Sequence, residues 1–548
     1  MAPRRPLSRG RLLHAVACLI NIAQLSAGER LFVDDAGWHS GNADFSVRID
    51  LQQVAPGSQM RPEFLSTTID VSLLTHPVHC DWQSPRLITM AKALSSAGPM
   101  WLRVGGTKGD KLWYDMSGGP PRSPPNSTLY PGGTFNKSVW DMTAQFAMDI
   151  DFQIAFGINL GPGPRDQETG AWRPDNALEF MNYTKAKGYP VIGYEAGNEP
   201  DMFDSVFKDL GFYVKPSQYA RDVALFAETV KAVNSSLITI APDSNYVPII
   251  GDFLYLESML RSAKEQNLTS QVDVWSWHFY PTLAPAEYNK STVPFILWPF
   301  FSHPQLMLNA SVLDMVHMYG SFVRDIVDRD GRQGAEVWLG ETGSAVGGGA
   351  ANVSNAFADG FEYLDKLGAM ALHGHGVVFR QTICGYNYGF VNFDLQPMPS
   401  FFVALLFKRL VGTSPLVVHV DDERTDSATS LRVYSFCAAP AAGPEGAVVV
   451  IAININPAAS AQFAISDGQG SIAGERHEYV LTAPHGLAGL GESSIALNGT
   501  VLQVAEDGTP PPMQPVVVAN NAEAEAVLPP ASYGFFVLPE AHAAACAL

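Results

Sequence analysis

Two glutamates, each at the end of a short apolar stretch, are the residues of this chain best suited to acid–base chemistry. Glu199 lies in "VIGYEAGNEPD", and Glu341 lies in "EVWLGE", directly before the glycine-rich run "TGSAVGGGA". Two carboxyl groups that face each other across a cleft can cleave a glycosidic bond. One protonates the leaving oxygen, while the other attacks the anomeric carbon or activates water. A single glutamate at a strand end indicates only a salt bridge or a helix cap, so the prediction depends on the pair.

The composition is that of an acidic globular protein. The 548 residues are 47% hydrophobic and 16% charged, with a net charge of −19. This length favours two or more domains, or one large barrel with an accessory unit. Because an acidic chain is repelled by polyanions, we expect no nucleic-acid partner and no general attraction to anionic membranes.

Residues 1–27 have the pattern of a signal peptide. The basic stretch "MAPRRPLSRGR" precedes the apolar "LLHAVACLINIAQ" and the small residues of "LSAG". We therefore expect a secreted or lysosomal protein that has no integral membrane domain after cleavage. An uncleaved signal, the alternative, would leave it associated with a membrane. Sequons for N-glycans agree with the secretory route, and they begin at Asn126, Asn136, Asn182, Asn234, Asn267, Asn289, Asn309, Asn352 and Asn498.

The cysteines do not form a metal motif. Cys18 belongs to the predicted signal, and Cys80, Cys384, Cys437 and Cys546 remain. Four cysteines allow three disulfide pairings, and none of their spacings is typical of a zinc site. We expect no metal and no cofactor. Cys384 lies close to the predicted catalytic region, and we expect it to be a buried free thiol.

Residues 60–408 alternate between strand and helix patterns. The strands are predicted at 64–70, 100–106, 151–159, 190–199, 237–243, 272–280, 336–342 and 376–382. Eight strands alternating with helices predict a (β/α)8 TIM barrel, whose chemistry lies at the carboxyl ends of the strands. The fourth and seventh strands lie on opposite sides of the barrel mouth, so the side chains of Glu199 and Glu341 can converge.

Residues 409–548 have a different pattern. Strands such as "AVVVIAININP" and "SYGFFVLPE" are separated by turn-rich gaps without helical periodicity. This pattern predicts an accessory β-sandwich domain. We assign the segment 30–59, which contains "DFSVRIDLQQV", to the same domain.

A set of motifs identifies the family. The stretches "FLSTTID", "LRVGGTKGD", "GNEP", "WHFY", "WLGETGSAVGGGA", "FRQT" and "LLFKRLVGT" together resemble the heparanase-like β-glucuronidases of glycoside hydrolase family 79. The resemblance extends from about residue 60 to the chain end. It implies a retaining double displacement with Glu199 as acid/base and Glu341 as nucleophile.

The resemblance also implies a sugar-binding site. The residues that match sugar-contacting positions of the family are Asp70, Thr107, Asn198, His278, Tyr280, Gln381 and Tyr388. The backbone of Gly347 and Gly348 matches the loop that receives the uronate carboxylate, which fits residues that let N–H groups approach a charged ligand. The resemblance implies a Cys437–Cys546 bridge too, and it leaves open whether Cys80 and Cys384 are unpaired or paired.

The motifs do not distinguish between two kinds of glucuronide substrate. A glucuronide-containing glycan cleaved internally and a small glucuronide cleaved from its end both fit the motifs. The basic clusters with which heparanase holds sulfated polymers are missing, and "MLRSAKEQ" is only a faint version of one. Two alternatives are a non-catalytic polysaccharide- or matrix-binding homologue and a retaining glycosidase of the same clan that acts on another sugar.

Overall fold

The computed structural model describes residues 43–75, 80–247, 254–268, 272–288, 300–332, 334–422, 430–521 and 524–547. The predicted signal peptide, residues 30–42 of the segment assigned to the sandwich, and Asn289 lie outside the described residues. Within the described part of the chain, no helix is both long and apolar enough to span a bilayer.

The strands alternate with helices in the first part of the chain and follow one another in the last part. In chain order the strands are β1 (Ala43–Val54), β2 (Leu65–Asp70), β3 (Trp101–Gly105), β4 (Leu112–Asp115), β5 (Gly133–Asn136), β6 (Gln153–Ile158), β7 (Val191–Ala196), β8 (Ile238–Asn245), β9 (Val274–Phe279), β10 (Thr282–Leu283), β11 (Glu336–Thr342), β12 (Ala345–Val346), β13 (Val378–Arg380), β14 (Val411–Asp422), β15 (Leu431–Ala438), β16 (Val448–Asn454), β17 (Ala461–Ser466), β18 (Glu475–Thr482), β19 (Ala496–Leu497), β20 (Thr500–Val501), β21 (Val516–Ala519), β22 (Ala526–Leu528) and β23 (Ser532–Leu538). The α-helices are α1 (Val71–Thr75), α2 (Pro85–Ala97), α3 (Lys137–Asp149), α4 (Asp175–Lys187), α5 (Phe203–Val206), α6 (Pro216–Val233), α7 (Tyr255–Glu265), α8 (Ala310–Asp330), α9 (Asp359–Leu372) and α10 (Pro399–Leu410).

Eight parallel strands close a barrel, which confirms the predicted (β/α)8 fold. Strands β2, β3, β6, β7, β8, β9, β11 and β13 are neighbours in chain order, and β13 pairs with β2 to complete the ring. Helices lie between successive strands because their apolar residues recur at helical spacing. Helix α6, for example, starts with a proline and buries Phe226, Val230 and Val233 against the barrel.

Two loops at the barrel mouth are joined by a short pair of strands. Strand β10 follows the end of β9, and β12 follows the end of β11. They pair in parallel, with Thr282 opposite Ala345 and Leu283 opposite Val346. This pairing fixes the loop after Tyr280 against the loop after Glu341.

The accessory domain is a sheet that folds over itself. Strands β1 and β14–β23 form one 11-stranded sheet, in which β1 lies between β14 and β17. Phe463 on β17 packs edge-on against Phe536 on β23 with ring centroids 5.2 Å apart, so distant parts of the sheet face each other. The two layers expected of a sandwich therefore belong to one hydrogen-bonded sheet. The domain limits at residues 60 and 408 stay predictions.

The accessory sheet packs against the helix that follows the strand of Glu341. Two glycines of α9 allow this contact, because a Cβ at Gly368 would overlap the ring of Tyr434, and one at Gly360 would overlap Tyr533. The Tyr533 hydroxyl also donates to the carbonyl of Phe357 at 3.1 Å. Helix α9 is thus held between the barrel and the accessory sheet.

Candidate active site

Glu341 lies in β11 at the carboxyl end of the barrel, beside His278 of β9. Its side chain is held from two sides: the Tyr280 hydroxyl donates to Oε1 at 2.7 Å, and Arg103 Nη1 donates to Oε2 at 2.8 Å. The residue is only 9% exposed. Burial raises the pKa of Glu341, and the positive charges of His278 and Arg103 oppose that rise. Both contacts favour the ionised carboxylate.

Glu199 lies three residues beyond β7 in a left-handed conformation, with φ 48° and ψ 60°. A non-glycine residue adopts this conformation only where its surroundings hold it. Its N–H donates to the carbonyl of Asp243 at 3.1 Å, and its Oε1 lies 2.9 Å from Nδ1 of His278. These contacts place the carboxyl group at the barrel mouth.

Arg103 joins four strands through its guanidinium group. In addition to its bond to Glu341, its Nε donates to Glu195 Oε2 at 2.7 Å. Its Nη2 donates to Asp243 Oδ2 and to Asn198 Oδ1, each at 3.0 Å. Burial acts to lower the pKa of Arg103, but the carboxylates of Glu195, Asp243 and Glu341 raise it well above its usual value. Arg103 is therefore a permanent cation beside Glu341.

Two further acids in this network differ in charge. Burial raises the pKa of Glu195 to about 8, although Arg103 opposes the rise. Burial also acts to raise the pKa of Asp243, but Arg103 and His278 outweigh it and hold that pKa below its usual value. Asp243 is thus the ionised member of the pair.

His278 is fully buried between carboxylates. Burial acts to lower its pKa, yet the carboxylates of Glu341 and Asp243 outweigh burial and raise the pKa to about 10. The ring is therefore protonated at neutral pH, and Nδ1–H donates to Glu199. This contact orients the carboxyl group of Glu199.

Glu199, His278 and Glu341 are close enough to bind one metal ion together. Glu199, His278 and Glu341 each offer one ligand atom, and these atoms lie within 4.8 Å of one another. Over the described ranges, this is the one group of three such residues whose spacing could hold a metal ion. The side chains already bond to protein groups, so a metal ion would have to displace Tyr280, Arg103 or the contact between Glu199 and His278. The expectation of no metal stays a prediction.

Four residues predicted to contact the sugar surround Glu341. Gln381 Nε2 donates to Asp70 Oδ2 at 3.4 Å, and the Thr68 hydroxyl donates to Gln381 Oε1. The rings of Tyr280 and Tyr388 lie 6.2 Å apart. Burial, followed by the charges of Asp70 and Glu341, raises the pKa of Tyr388 well above its usual value. The structure therefore brings Asp70, Tyr280, Gln381 and Tyr388 close to Glu341.

The glycine turn lies beside this group, whereas Thr107 is at the rim. Gly347 and Gly348 have φ of +86° and +82°, and a Cβ at Gly347 would lie 2.8 Å from Cβ of Glu287. Glycine is therefore required for the turn at this position. Thr107 is exposed just beyond the end of β3. Of the predicted contact residues, it is the least enclosed.

The cysteines form two bridges. Cys437 is bonded to Cys546, and Cys80 is bonded to Cys384 with a Cα–Cα distance of 6.2 Å. The expectation that Cys384 is a free thiol is wrong. The loops after β2 and β13 are neighbours where the barrel closes, and a sequence separation of 304 residues conceals this proximity.

Sequence reasoning also missed the charges under the site. Arg103, Glu195 and Asp243 were not predicted as site residues, although each is a charge inside an apolar strand. Alternating side chains of a barrel strand point inward, so such a charge must find a partner inside the barrel. That signal was available from the sequence.

A closed (β/α)8 barrel with paired glutamates at the carboxyl ends of its fourth and seventh strands defines a glycoside hydrolase. The model of "Glycosyl hydrolase family 79, N-terminal domain" matches residues 75–368, and the chain belongs to this family.

Known relatives agree with this assignment, and a solved structure agrees with the fold. The chain is 30% identical to heparanase of Mus musculus over 558 residues, covering 92% of this chain and 95% of that protein. It is 26% identical to baicalin-beta-D-glucuronidase of Scutellaria baicalensis, covering 88% and 90%. The solved 4-O-alpha-L-rhamnosyl-beta-D-glucuronidase of Fusarium oxysporum 12S shares the fold with a TM-score of 0.65 at 16% identity, covering 90% of this chain and 100% of that one.

Proposed function

We propose that the protein hydrolyses β-D-glucuronosyl linkages with retention of configuration, by double displacement. The observation that carries the proposal is the closeness of the two glutamates, which place carboxyl oxygens within 4.8 Å of each other. Retaining glycosidases hold their carboxyl groups about 5–5.5 Å apart, whereas inverting enzymes need about 6.5–9.5 Å for a water molecule. Relatives named heparanase and baicalin-beta-D-glucuronidase support glucuronide as the sugar.

Glu341 is the nucleophile in this proposal. Its carboxylate attacks the anomeric carbon, and the bond from that carbon to the leaving oxygen breaks as a glycosyl ester forms. Tyr280 and Arg103 hold the two carboxyl oxygens in one orientation, which supports attack without prior rotation of the side chain. Water then attacks the same carbon and releases glucuronic acid and free Glu341.

Glu199 is the acid and then the base. It gives its proton to the leaving oxygen in the first step and takes a proton from the attacking water in the second. The Oε1 atom of Glu199 already accepts a hydrogen bond from His278, so Oε2 is the oxygen available to the leaving group. Asn198, held by Arg103, is placed next to Glu199 to bind a sugar hydroxyl.

The remaining predicted contacts bind the sugar. Asp70, Gln381 and Tyr388 supply polar groups around Glu341, and Thr107 adds a hydroxyl at the rim. The turn at Gly347 and Gly348 offers backbone to the uronate carboxylate. No step in this scheme requires a cofactor.

We also propose that the protein follows the secretory pathway to the outside of the cell or to the lysosome. Two disulfides support an oxidising compartment. Sequon asparagines that are exposed support N-glycans, namely Asn126, Asn182, Asn234, Asn267 and Asn352. Treatment of the purified protein with an endoglycosidase tests this point by a loss of mass.

The decisive experiment measures the rate of hydrolysis of 4-nitrophenyl β-D-glucuronide at pH 4–7 by the wild type, Glu341→Gln and Glu199→Gln. We expect Glu341→Gln to lose at least roughly 10³-fold in rate with every leaving group. Glu199→Gln should lose about 10²- to 10⁴-fold with a poor leaving group, and far less with 2,4-dinitrophenol, which departs without a proton. Glu265→Gln, at the exposed end of helix α7 and away from the barrel mouth, is the matched control.

Proton NMR of the first product distinguishes the stereochemistry. Release of the β-anomer supports the proposal, and release of the α-anomer contradicts it. Absence of hydrolysis by the wild type, together with binding to an immobilised glucuronide polymer, would indicate the non-catalytic homologue. Hydrolysis of another 4-nitrophenyl glycoside instead would indicate a clan member with a different sugar.

A further inference from the structure

The segment from Gln381 to Met398, here called the β13 loop, forms one wall of the candidate sugar site. Its first residues are bonded to β2, because Ile383 N–H and the Thr382 hydroxyl both donate to the Thr68 carbonyl, at 2.9 and 2.6 Å. Beyond Cys384 the chain turns outward and returns, with Gly385 N–H donating to the Val391 carbonyl at 2.7 Å. Tyr386 and Tyr388 lie in this outer turn.

The outer turn supports the glycine turn. Asn387 N–H donates to the Gly348 carbonyl at 2.8 Å, and its Nδ2 donates to the Gly349 carbonyl at 3.0 Å. Tyr386 has φ of 56°, a conformation that its surroundings must hold. Its hydroxyl shares a hydrogen bond of 3.1 Å with Ser72 Oγ. The β13 loop therefore connects the glycine turn to the segment that follows Asp70.

The Cys80–Cys384 bridge joins the same two regions covalently. Cys384 lies two residues before Tyr386, and Cys80 follows helix α1, which contains Ser72. Both cysteines are buried, with 6% and 0% exposure. A noncovalent contact lies farther out, where Arg86 Nε donates to the Leu395 carbonyl at 2.9 Å.

We propose that the Cys80–Cys384 bridge positions the β13 loop for sugar binding, and that Cys80 and Cys384 are positioning residues of this enzyme. The inference rests on the proposed glucuronidase function. Without the bridge, the outer turn samples more conformations, and the sugar must order it on binding. Glu341 is held by Arg103 and Tyr280, and Glu199 by His278, all outside the β13 loop. Opening the bridge therefore weakens binding and leaves the chemical step and its pH profile in place.

The test compares the two bridges of the chain. Cys80→Ser/Cys384→Ser opens the proposed positioning bridge, and Cys437→Ser/Cys546→Ser opens the bridge between β15 and the last turn of the accessory domain. With 4-nitrophenyl β-D-glucuronide, we expect the first variant to raise KM about tenfold or more while kcat stays within about threefold. The second variant should lower the melting temperature without raising KM.

A reductant opens the Cys80–Cys384 bridge in protein that has already folded, so the effect of the bridge on KM can be measured without the Cys80→Ser/Cys384→Ser variant. In Cys437→Ser/Cys546→Ser the described chain retains only the Cys80–Cys384 bridge, so adding tris(2-carboxyethyl)phosphine to this folded variant opens that bridge alone. A rise in KM on reduction supports the proposal even if Cys80→Ser/Cys384→Ser does not fold. An unchanged KM after reduction, verified by thiol counting, overturns it. An equal KM rise in both double variants also overturns it, because that result indicates general loosening.

Hydrogen exchange separates this proposal from the proposed function. If the wild type hydrolyses no glucuronide, the proposed function fails, and amide exchange still reports on the loop. Faster exchange of peptides from Ile383–Val391 after opening Cys80–Cys384, but not after opening Cys437–Cys546, supports the positioning role. Equal exchange in both cases contradicts it.

Discussion

Two buried clusters of charges lie on opposite faces of β11. The inner cluster, inside the barrel, consists of Arg103, Glu195, Asp243, His278 and Glu341. The outer cluster, between the barrel and α9, consists of Asp359, Glu362, Lys366 and Arg380. Successive residues of a strand point to opposite faces, so Glu341 belongs to the inner cluster and its neighbour Thr342 contacts the outer one.

The clusters differ in how their charges are paired. In the outer cluster each acid faces one cation, with Lys366 2.5 Å from Glu362 and Arg380 2.8 Å from Asp359. Lys366 also donates to the Thr342 hydroxyl at 2.6 Å. In the inner cluster Arg103 is shared among three acids, and Glu341 remains partly exposed to the mouth. One carboxylate of the inner cluster can therefore be reached from the barrel mouth, whereas the outer charges fix the backbone.

The largest effect is expected when the shared cation is removed. Arg103→Met leaves three buried acids without their partner, so we expect a loss of about 3–5 kcal/mol in the free energy of unfolding. Activity should fall at least roughly 10³-fold, since Glu341 loses its orientation and its positive neighbour. Urea unfolding and kcat/KM measure the two effects. Arg173→Met should leave both unchanged, because its side chain is 60% exposed and its partner Asp175 is 72% exposed. If Arg103→Met were as stable as the wild type, the inner cluster would not depend on a shared cation.

Breaking the outer cluster should affect stability but not chemistry. Lys366→Met leaves Glu362 buried without a cation, and we expect a similar loss of about 3–5 kcal/mol in the free energy of unfolding. At temperatures where the variant is folded, kcat/KM should fall less than about tenfold, because Lys366 does not contact Glu341. The double variant Lys366→Met/Glu362→Leu should recover most of the stability. An activity loss equal to that of Arg103→Met would show that the outer cluster also serves activity, and would refute the distinction between the two clusters.

The inner cluster also predicts a loss of stability at alkaline pH. The folded pKa of His278, about 10, lies above its ordinary 6.5, so its contribution is complete below pH 6.5 and is lost as pH rises toward 10. Glu195, with a pKa of about 8 against 4.5, adds a loss of the same sign at lower pH. The free energy of unfolding, measured in urea from pH 5 to pH 10, should fall across this range. His278→Gln should flatten the dependence of the unfolding free energy on pH in the upper part of this range. A dependence parallel to that of the wild type would count against His278 as the titrating group.

A smaller effect is expected when the hydroxyl that donates to Glu341 is removed. Tyr280→Phe removes one hydrogen bond to a charged group, so kcat should fall about 10- to 100-fold. Because that bond favours the ionised form of Glu341, its loss should raise the pKa of Glu341 and move the acid limb of kcat/KM to higher pH. Tyr183→Phe, which loses a hydroxyl bonded to Asp141, is the control and should keep wild-type kinetics. An unmoved acid limb would mean that Tyr280 does not act through Glu341.

The smallest effect is expected at the rim. Thr107→Ala removes one neutral hydroxyl from an exposed position, so KM should rise only about 2- to 10-fold with no change in stability. Thr107→Ser keeps the hydroxyl and should restore the wild-type KM. Equal KM values in all three proteins would remove Thr107 from the sugar site.

The barrel could be predicted from sequence because its signals are local. Each barrel strand is a short apolar stretch, and the predicted strand at 336–342 coincides with Glu336–Thr342. The predicted end of the fourth strand was too late, since β7 ends at Ala196 and Glu199 lies in a left-handed turn beyond it. That turn depends on the bond from Glu199 N–H to Asp243 on the next strand, which no local pattern contains.

The sequence by itself determined the alternation of strands and helices, the position of Glu341 at a strand end and that of Glu199 close after another. Apolar periodicity and strand-end polarity are properties of neighbouring residues, so they can be read without the fold. Only the tertiary structure decided that Arg103 holds Glu341 across 238 residues, and that Cys80 is bonded to Cys384 across 304. The physical reason is barrel closure, which brings the first and last strands together and forces the inward charges of separate strands to neutralise one another.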